Sequence, residues 1–355
     1  MGASIAEKSD IRHAPVELVP DARAPSSDDM SRFAIAEPNA ELAHSLSAMT
    51  TELVKGWLAE YLANCEQALG LDLSDDRRHI VALPADKLLH PYWHALAHHL
   101  EAGIEAQNAE LVLDWLASLR RWTATPRERK TPYIAGILAE GWESANVARM
   151  RTYDQLNIRG EPTKIWPIFD DSELKRHRTN IEKALDLIRQ YDPELAGEFD
   201  AFVCCIRLFS GQVLRGETSP ATFGAIWLRV PEPEQDQVAY WLEHLTHEVS
   251  HLRLEALFMQ EVLVLNPYGD RHFRAPIRDD PRPLRGVFHA TFVVARMIRL
   301  FRRLSIAGMD KRLRDMLRLF ELQFEIGMAT LRRDDACFST DGAAIRDLLP
   351  ACCLS

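Results

Sequence analysis

A mainly α-helical protein, with one small β-hairpin or sheet just before a histidine-bearing helix, is the fold class this sequence predicts. Three observations support it. Apolar residues recur at helical spacing through most of the chain, only one stretch has strand composition, and His247-Glu248-Val249-Ser250-His251 falls inside a long helical pattern of zincin type.

Residues 1–36 mix Pro, Ser, Asp and Ala without sustained periodicity, as in Ala24-Pro25-Ser26-Ser27-Asp28-Asp29, and read as a flexible tail. From Asn39 the pattern changes: Leu42, Leu46, Met49, Leu53 and Trp57 recur at helical intervals until Gly70 offers a stop. Further helices are expected at 91–104, 108–122, 172–190 and 194–201, which makes 37–190 a helical amino-terminal region. Residues 191–355 form the metal-binding region, packed with the former as one unit. Within it, Phe202 to Phe209 and Phe223 to Val230 read as two strands flanking a turn-rich connection. Pro231 and Pro233 precede the histidine helix, whose apolar stripe is Val238, Leu242, Leu245, Val249 and Leu252. A loop from Asn266 to Pro283 is dictated by its prolines; a buried helix then starts near Leu284, another spans about 310–332, and a short tail ends at Ser355.

The composition narrows the function. With 355 residues, 47% hydrophobic and 26% charged, the chain has ample material for a core. A formal charge of −10 argues against a broad nucleic-acid footprint. No apolar run approaches the roughly 20 residues of a membrane helix, and the first residues do not read as a secretory signal. The six cysteines include the adjacent pairs Cys204-Cys205 and Cys352-Cys353 and show no metal-type spacing, which suits a reducing cytoplasm.

His247 and His251 lie one helical turn apart, so two imidazoles can converge on one ion, with Glu248 beside that face. In a zinc site Glu248 polarises a bound water; in an iron site it orients ligands or substrate. The third ligand is open. Leu254 and Leu257 stand where the extended metzincin motif needs glycine and histidine, and the chain after Glu261 enters the proline-rich loop rather than a helix carrying a glutamate. Glu255, one turn beyond His251, is one candidate. His289, on an otherwise apolar helix where it needs a polar partner, is the stronger one, with Arg285 one turn earlier as a planar cation for a carboxylate and Arg282 as the fallback.

The strand ending Gly224-Ala225-Ile226-Trp227-Leu228, the helix motif, and Asp280-Pro281-Arg282-Pro283-Leu284-Arg285-Gly286-Val287-Phe288-His289 together resemble the HExxH-type peptide-modifying proteins, 2-oxoglutarate-dependent peptide β-hydroxylases of ribosomal peptide biosynthesis. The resemblance covers about residues 195–305. It implies a mononuclear Fe(II) centre, with 2-oxoglutarate and O2 as cosubstrates and a side chain of a precursor peptide as the hydroxylated partner; His247, His251 and His289 are the ligands expected from the residues themselves. A zinc peptidase with Glu248 as general base is the alternative enzyme. A peptide-binding helper with a purely structural metal is the non-catalytic one.

Three other features stand out. His90, His94 and His98 recur around Pro91-Tyr92-Trp93 and read as a partly buried structural face, since no acidic or cysteine ligand completes them. His244 precedes His247 by one turn and is expected to support the site rather than join it. The basic run Arg120, Arg121, Arg127, Arg129 and Lys130 reads as a solvated face.

Overall fold

The computed structural model describes residues 30–84, 88–123, 132–138, 140–152, 164–212, 214–235, 237–307 and 311–355. Most of the expected tail and the side chains of the basic run Arg120 to Lys130 lie outside these residues.

The helices are α1 (Ala40–Leu69), α2 (Ser74–Val81), α3 (Pro91–Glu105), α4 (Ala109–Thr123), α5 (Trp142–Thr152), α6 (Asp171–Tyr191), α7 (Pro193–Phe202), α8 (Gln237–Gln260), α9 (Leu284–Ile306), α10 (Lys311–Leu331) and α11 (Thr340–Leu354). The strands are β1 (Tyr133–Gly136), β2 (Ile165–Trp166), β3 (Cys205–Gly211), β4 (Gly216–Glu217), β5 (Ala225–Arg229), β6 (Arg271–Phe273) and β7 (Arg282–Pro283). The chain is mainly helical with a small sheet.

Local chemistry sets the ends of α1. The Asn39 side chain accepts from Leu42 N at 2.9 Å, and Gly70 closes the helix with φ 69°, a left-handed conformation that costs a glycine little. Pro91 opens α3 at its first position, where a missing N–H costs nothing, and the His90 ring accepts from Tyr92 N.

The two strands, expected as a hairpin or small sheet, join one sheet without pairing as a hairpin. β3 and β5 lie parallel, Cys205 opposite Ala225, and β4 pairs antiparallel with β5 at the sheet edge in the order β1-β3-β5-β4. The turn-rich connection holds two reversals, one into β4 and one into β5, so the second strand returns in its original direction. Phe202 is the end of α7 rather than part of a strand. β1 and β2, both from the amino-terminal region, pair with β3, so a single sheet joins the two halves of the chain.

Alternation along the strands divides the core. Ile206, Leu208, Ile226 and Leu228 face the cluster built with α6, α7, α8 and α9; Cys205, Phe209, Ala225 and Trp227 face the one built with the second half of α1 and with α3, α4 and α5. Met30 and Phe33 belong to the first cluster, so the tail expected to run to residue 36 is already core by Met30. The carboxyl-terminal stretch expected to be a tail is α11, capped by Ser339 and burying Ile345, Leu349, Cys352 and Cys353. No helix among the described residues is long and apolar enough to cross a membrane.

Candidate metal centre

α8 is buried along most of its length and runs beneath the β5-β4 edge, where the Tyr240 hydroxyl donates to Arg229 O at 2.8 Å and fixes the helix start against the end of β5. α9 packs beside it, opened by Pro283, whose fixed φ suits a helix start. This pairing brings together the histidines that the sequence separates by 38 positions.

His247 Nε2 and His251 Nε2 are 3.1 Å apart, and His251 Nδ1 is 3.1 Å from His289 Nδ1. Burial holds the His247 ring neutral, pushed down to about 4, and moves His251 well below the usual histidine range, with His247 and His289 adding to the shift. The three rings form a chain of contacts, not one coordination sphere, because His251 offers a different nitrogen to each neighbour. Among the described residues no group of three or more His, Cys, Asp and Glu side chains converges on a single point.

The donor types nonetheless suit an ion. Two imidazole nitrogens each about 2.1 Å from one metal sit roughly 3 Å apart, which is the spacing of His247 and His251. Neutral imidazole is also the protonation state that ligates.

Glu248 is 3% exposed, and burial pushes its carboxyl up to about 8 against an opposing hydrogen bond from Thr218. Its Oε2 has no hydrogen-bond partner and is an uncompensated buried acceptor. On the other side Oε1 packs on Gly216 of β4, where an added Cβ would come within 2.5 Å of it. The edge strand and the glutamate are therefore one unit.

Around His289 the surroundings differ from what the sequence alone predicts. Arg285 reaches Glu255, Nη2 to Oε2 at 3.0 Å, and Glu255 Oε1 lies 3.2 Å from His289 Nε2, close but off the line of a hydrogen bond. Burial would raise the Glu255 carboxyl, but His289 and Arg285 outweigh it and hold it below the ordinary glutamate range. The Arg285 guanidinium lies over the Phe258 ring at 4.0 Å, and that ring stacks on His289 with centroids 5.0 Å apart. Arg282 is engaged elsewhere, by Asp280 at 2.8 Å.

His244 does not join the group. Its Nδ1 donates to Tyr240 O at 2.9 Å and its ring stacks on Tyr240. His90 packs edge-on to Trp142 on the opposite side of the sheet, and His94 is tilted against Phe223.

Glu255, Phe258 and Gly216 are the contributors that sequence reasoning underrated or missed. Glu255 could have been promoted by register, since it continues the i, i+4 row of His247 and His251. Gly216 leaves no such signal, because its role depends on which strand lies over the helix. Compared with models of known protein families and with curated proteins, the chain has no match.

Proposed function

We propose that this chain is an Fe(II)- and 2-oxoglutarate-dependent oxygenase that hydroxylates a side-chain carbon of a peptide. The observation that carries the proposal is the juxtaposition of three imidazoles from α8 and α9 with a cation, Arg285, one turn from the third. A dicarboxylate cosubstrate has use for a cation at that place. Arg285 engages Glu255 through Nη2, is one-third exposed, and carries further donors along its planar fork.

In this reading His247, His251 and His289 would hold the iron, and Arg285, or Arg282 as the fallback, would take the distal carboxylate of 2-oxoglutarate. Iron held there would supply the activation of O2 that couples hydroxylation of a C–H bond to conversion of 2-oxoglutarate into succinate and CO2. Glu248, the residue after His247, holds its carboxyl against β4.

A second reading has its own observation. A buried carboxyl pushed up to about 8, on the residue after His247 and lying against an edge strand, is also what a zinc peptidase needs in a general base.

Anaerobic addition of Fe(II) and then 2-oxoglutarate separates them. The oxygenase gives a visible charge-transfer band and, with O2, succinate; zinc binding with peptide cleavage and no band reverses the assignment. His247→Ala, His251→Ala and His289→Ala should each abolish stoichiometric iron binding. Arg285→Leu should keep iron but raise the 2-oxoglutarate requirement, with only partial recovery in Arg285→Lys. Unchanged 2-oxoglutarate affinity in Arg285→Leu, with a loss in Arg282→Leu, moves that role to Arg282.

A further inference from the structure

We infer that the outward face of α10 is where two copies of this chain meet, their α10 helices lying antiparallel across a two-fold axis at Leu322. The inference is independent of the metal-centre reading. α10 packs on α9 and buries Leu313, Phe320, Met328 and Leu331. Gly327 lies so close to Thr291 of α9 that a Cβ would meet its hydroxyl, which fixes the rotation of the helix. The opposite face of a surface helix is ordinarily polar. Here it carries Leu319 and Leu322, 53% and 56% exposed, with Ile326 half-buried and Ala329 exposed beyond them.

This face repeats every seven residues, the period that keeps a seam between two helices in register. Asp315, Leu322 and Ala329 run along its centre, Leu319 and Ile326 along one flank, Arg318 and Glu325 along the other. An antiparallel two-fold pair sets each flank beside the same flank of the second copy, running the opposite way, and makes every contact twice. With the axis at Leu322, Leu319 meets Ile326 of the second copy and Arg318 meets its Glu325. Asp315 comes opposite Ala329, in a groove of about 440 Å³ that Arg274 and Arg333 also line. A parallel pair would set the apolar flank on the charged one and Asp315 on itself, so the charges select the antiparallel arrangement. Within the chain Arg318 pairs with Asp315 at 3.4 Å, an exposed contact that contributes little and leaves the guanidinium able to take a second carboxylate.

The test is sedimentation of the full chain over a concentration series. The wild type should pass from monomer to dimer as its concentration rises. Leu322→Arg, which sets two like charges on the axis, should leave a monomer. Arg318→Glu and Glu325→Arg should each weaken dimerisation roughly 10-fold or more, because one substitution creates two like-charge contacts. Mixing these two variants should restore association, since a mixed pair has opposite charges at both contacts. All three positions are exposed, and an unchanged far-UV spectrum checks that each variant is folded. A wild-type chain that stays monomeric at the highest concentration reached would overturn the inference and leave this face to a different partner. So would a dimer that Leu322→Arg leaves intact. A mixture that associates no more tightly than either variant alone would overturn it too, because antiparallel pairing demands the restoration.

Discussion

At the scale of single residues, the contact between Gly216 and Glu248 has a measurable consequence. A β-carbon at position 216 would stand 2.5 Å from Glu248 Oε1 and 3.0 Å from Leu228 Cδ2, so Gly216→Ala must move the carboxyl of a buried glutamate or push β4 outward. Overpacking of this kind costs about 1–3 kcal/mol. The expected result is a modest fall in denaturant midpoint with a much larger fall in product formation, measured as succinate release or peptide cleavage. A variant that loses stability and keeps full turnover would separate the edge strand from the chemistry. The His247-x-x-x-His251 spacing was legible because helical geometry alone places residues four apart on one face. The partner of Arg285 was not, since Glu255 lies 30 positions away and meets it only across the α8-α9 contact.

Among elements, α7, α8 and α9 are tied by charge in the interior. Glu198 of α7, Arg253 of α8 and Arg296 of α9 are all fully buried; Glu198 pairs with Arg296 and lies 3.7 Å from Arg253 Nε, and it also accepts from Asn39 N before α1. Burial lowers Arg253 to about 10, with Glu198 opposing and Arg296 adding to the effect. Removing the single carboxylate leaves two buried guanidinium groups without their counter-charge, a loss of about 3–5 kcal/mol. Glu198→Ala is therefore expected to shift the urea midpoint strongly downward, and to loosen the helix pair that carries the histidines. An unshifted midpoint would show that the guanidinium groups are satisfied without Glu198. The helices themselves were readable from caps and apolar spacing, α8 and α9 most clearly. The pairing of β3 and β5 was not, because strand composition says that a segment will pair but carries no direction; that depends on how many reversals the connection makes. α11 was passed over because Gly342 and Pro350 lower its helical propensity, and its packing on α9 overrides them.

For the whole molecule, buried histidines set the response to acid. Burial lowers His94 to about 3 and His99 to about 4, with His98 adding to both, whereas in the unfolded chain such rings titrate near 6.5. Between those limits the unfolded chain binds more protons than the folded one, so stability increases with pH across the window. The metal-free protein should accordingly keep full stability above about pH 6.5 and lose it progressively as the pH falls toward 3 to 4, followed by denaturant titration at successive pH values. His94→Gln should flatten that dependence; an unchanged profile would mean that this ring is protonated without unfolding. The stretch expected as a loop from Asn266 to Pro283 instead holds the antiparallel pair β6 and β7. From the sequence by itself came the helical class, the position of the two-histidine helix and the assignment of His289 to a buried face. These rest on local rules, helical period, proline geometry and composition, that act within a few residues. Tertiary structure alone decided that His289 meets His251, that Glu255 stands between His289 and Arg285, that Gly216 lies on Glu248, and that residues from both halves of the chain share one sheet. Those contacts join segments far apart in the chain, and their geometry follows from which apolar faces bury one another, a property of the assembled core that no local pattern encodes.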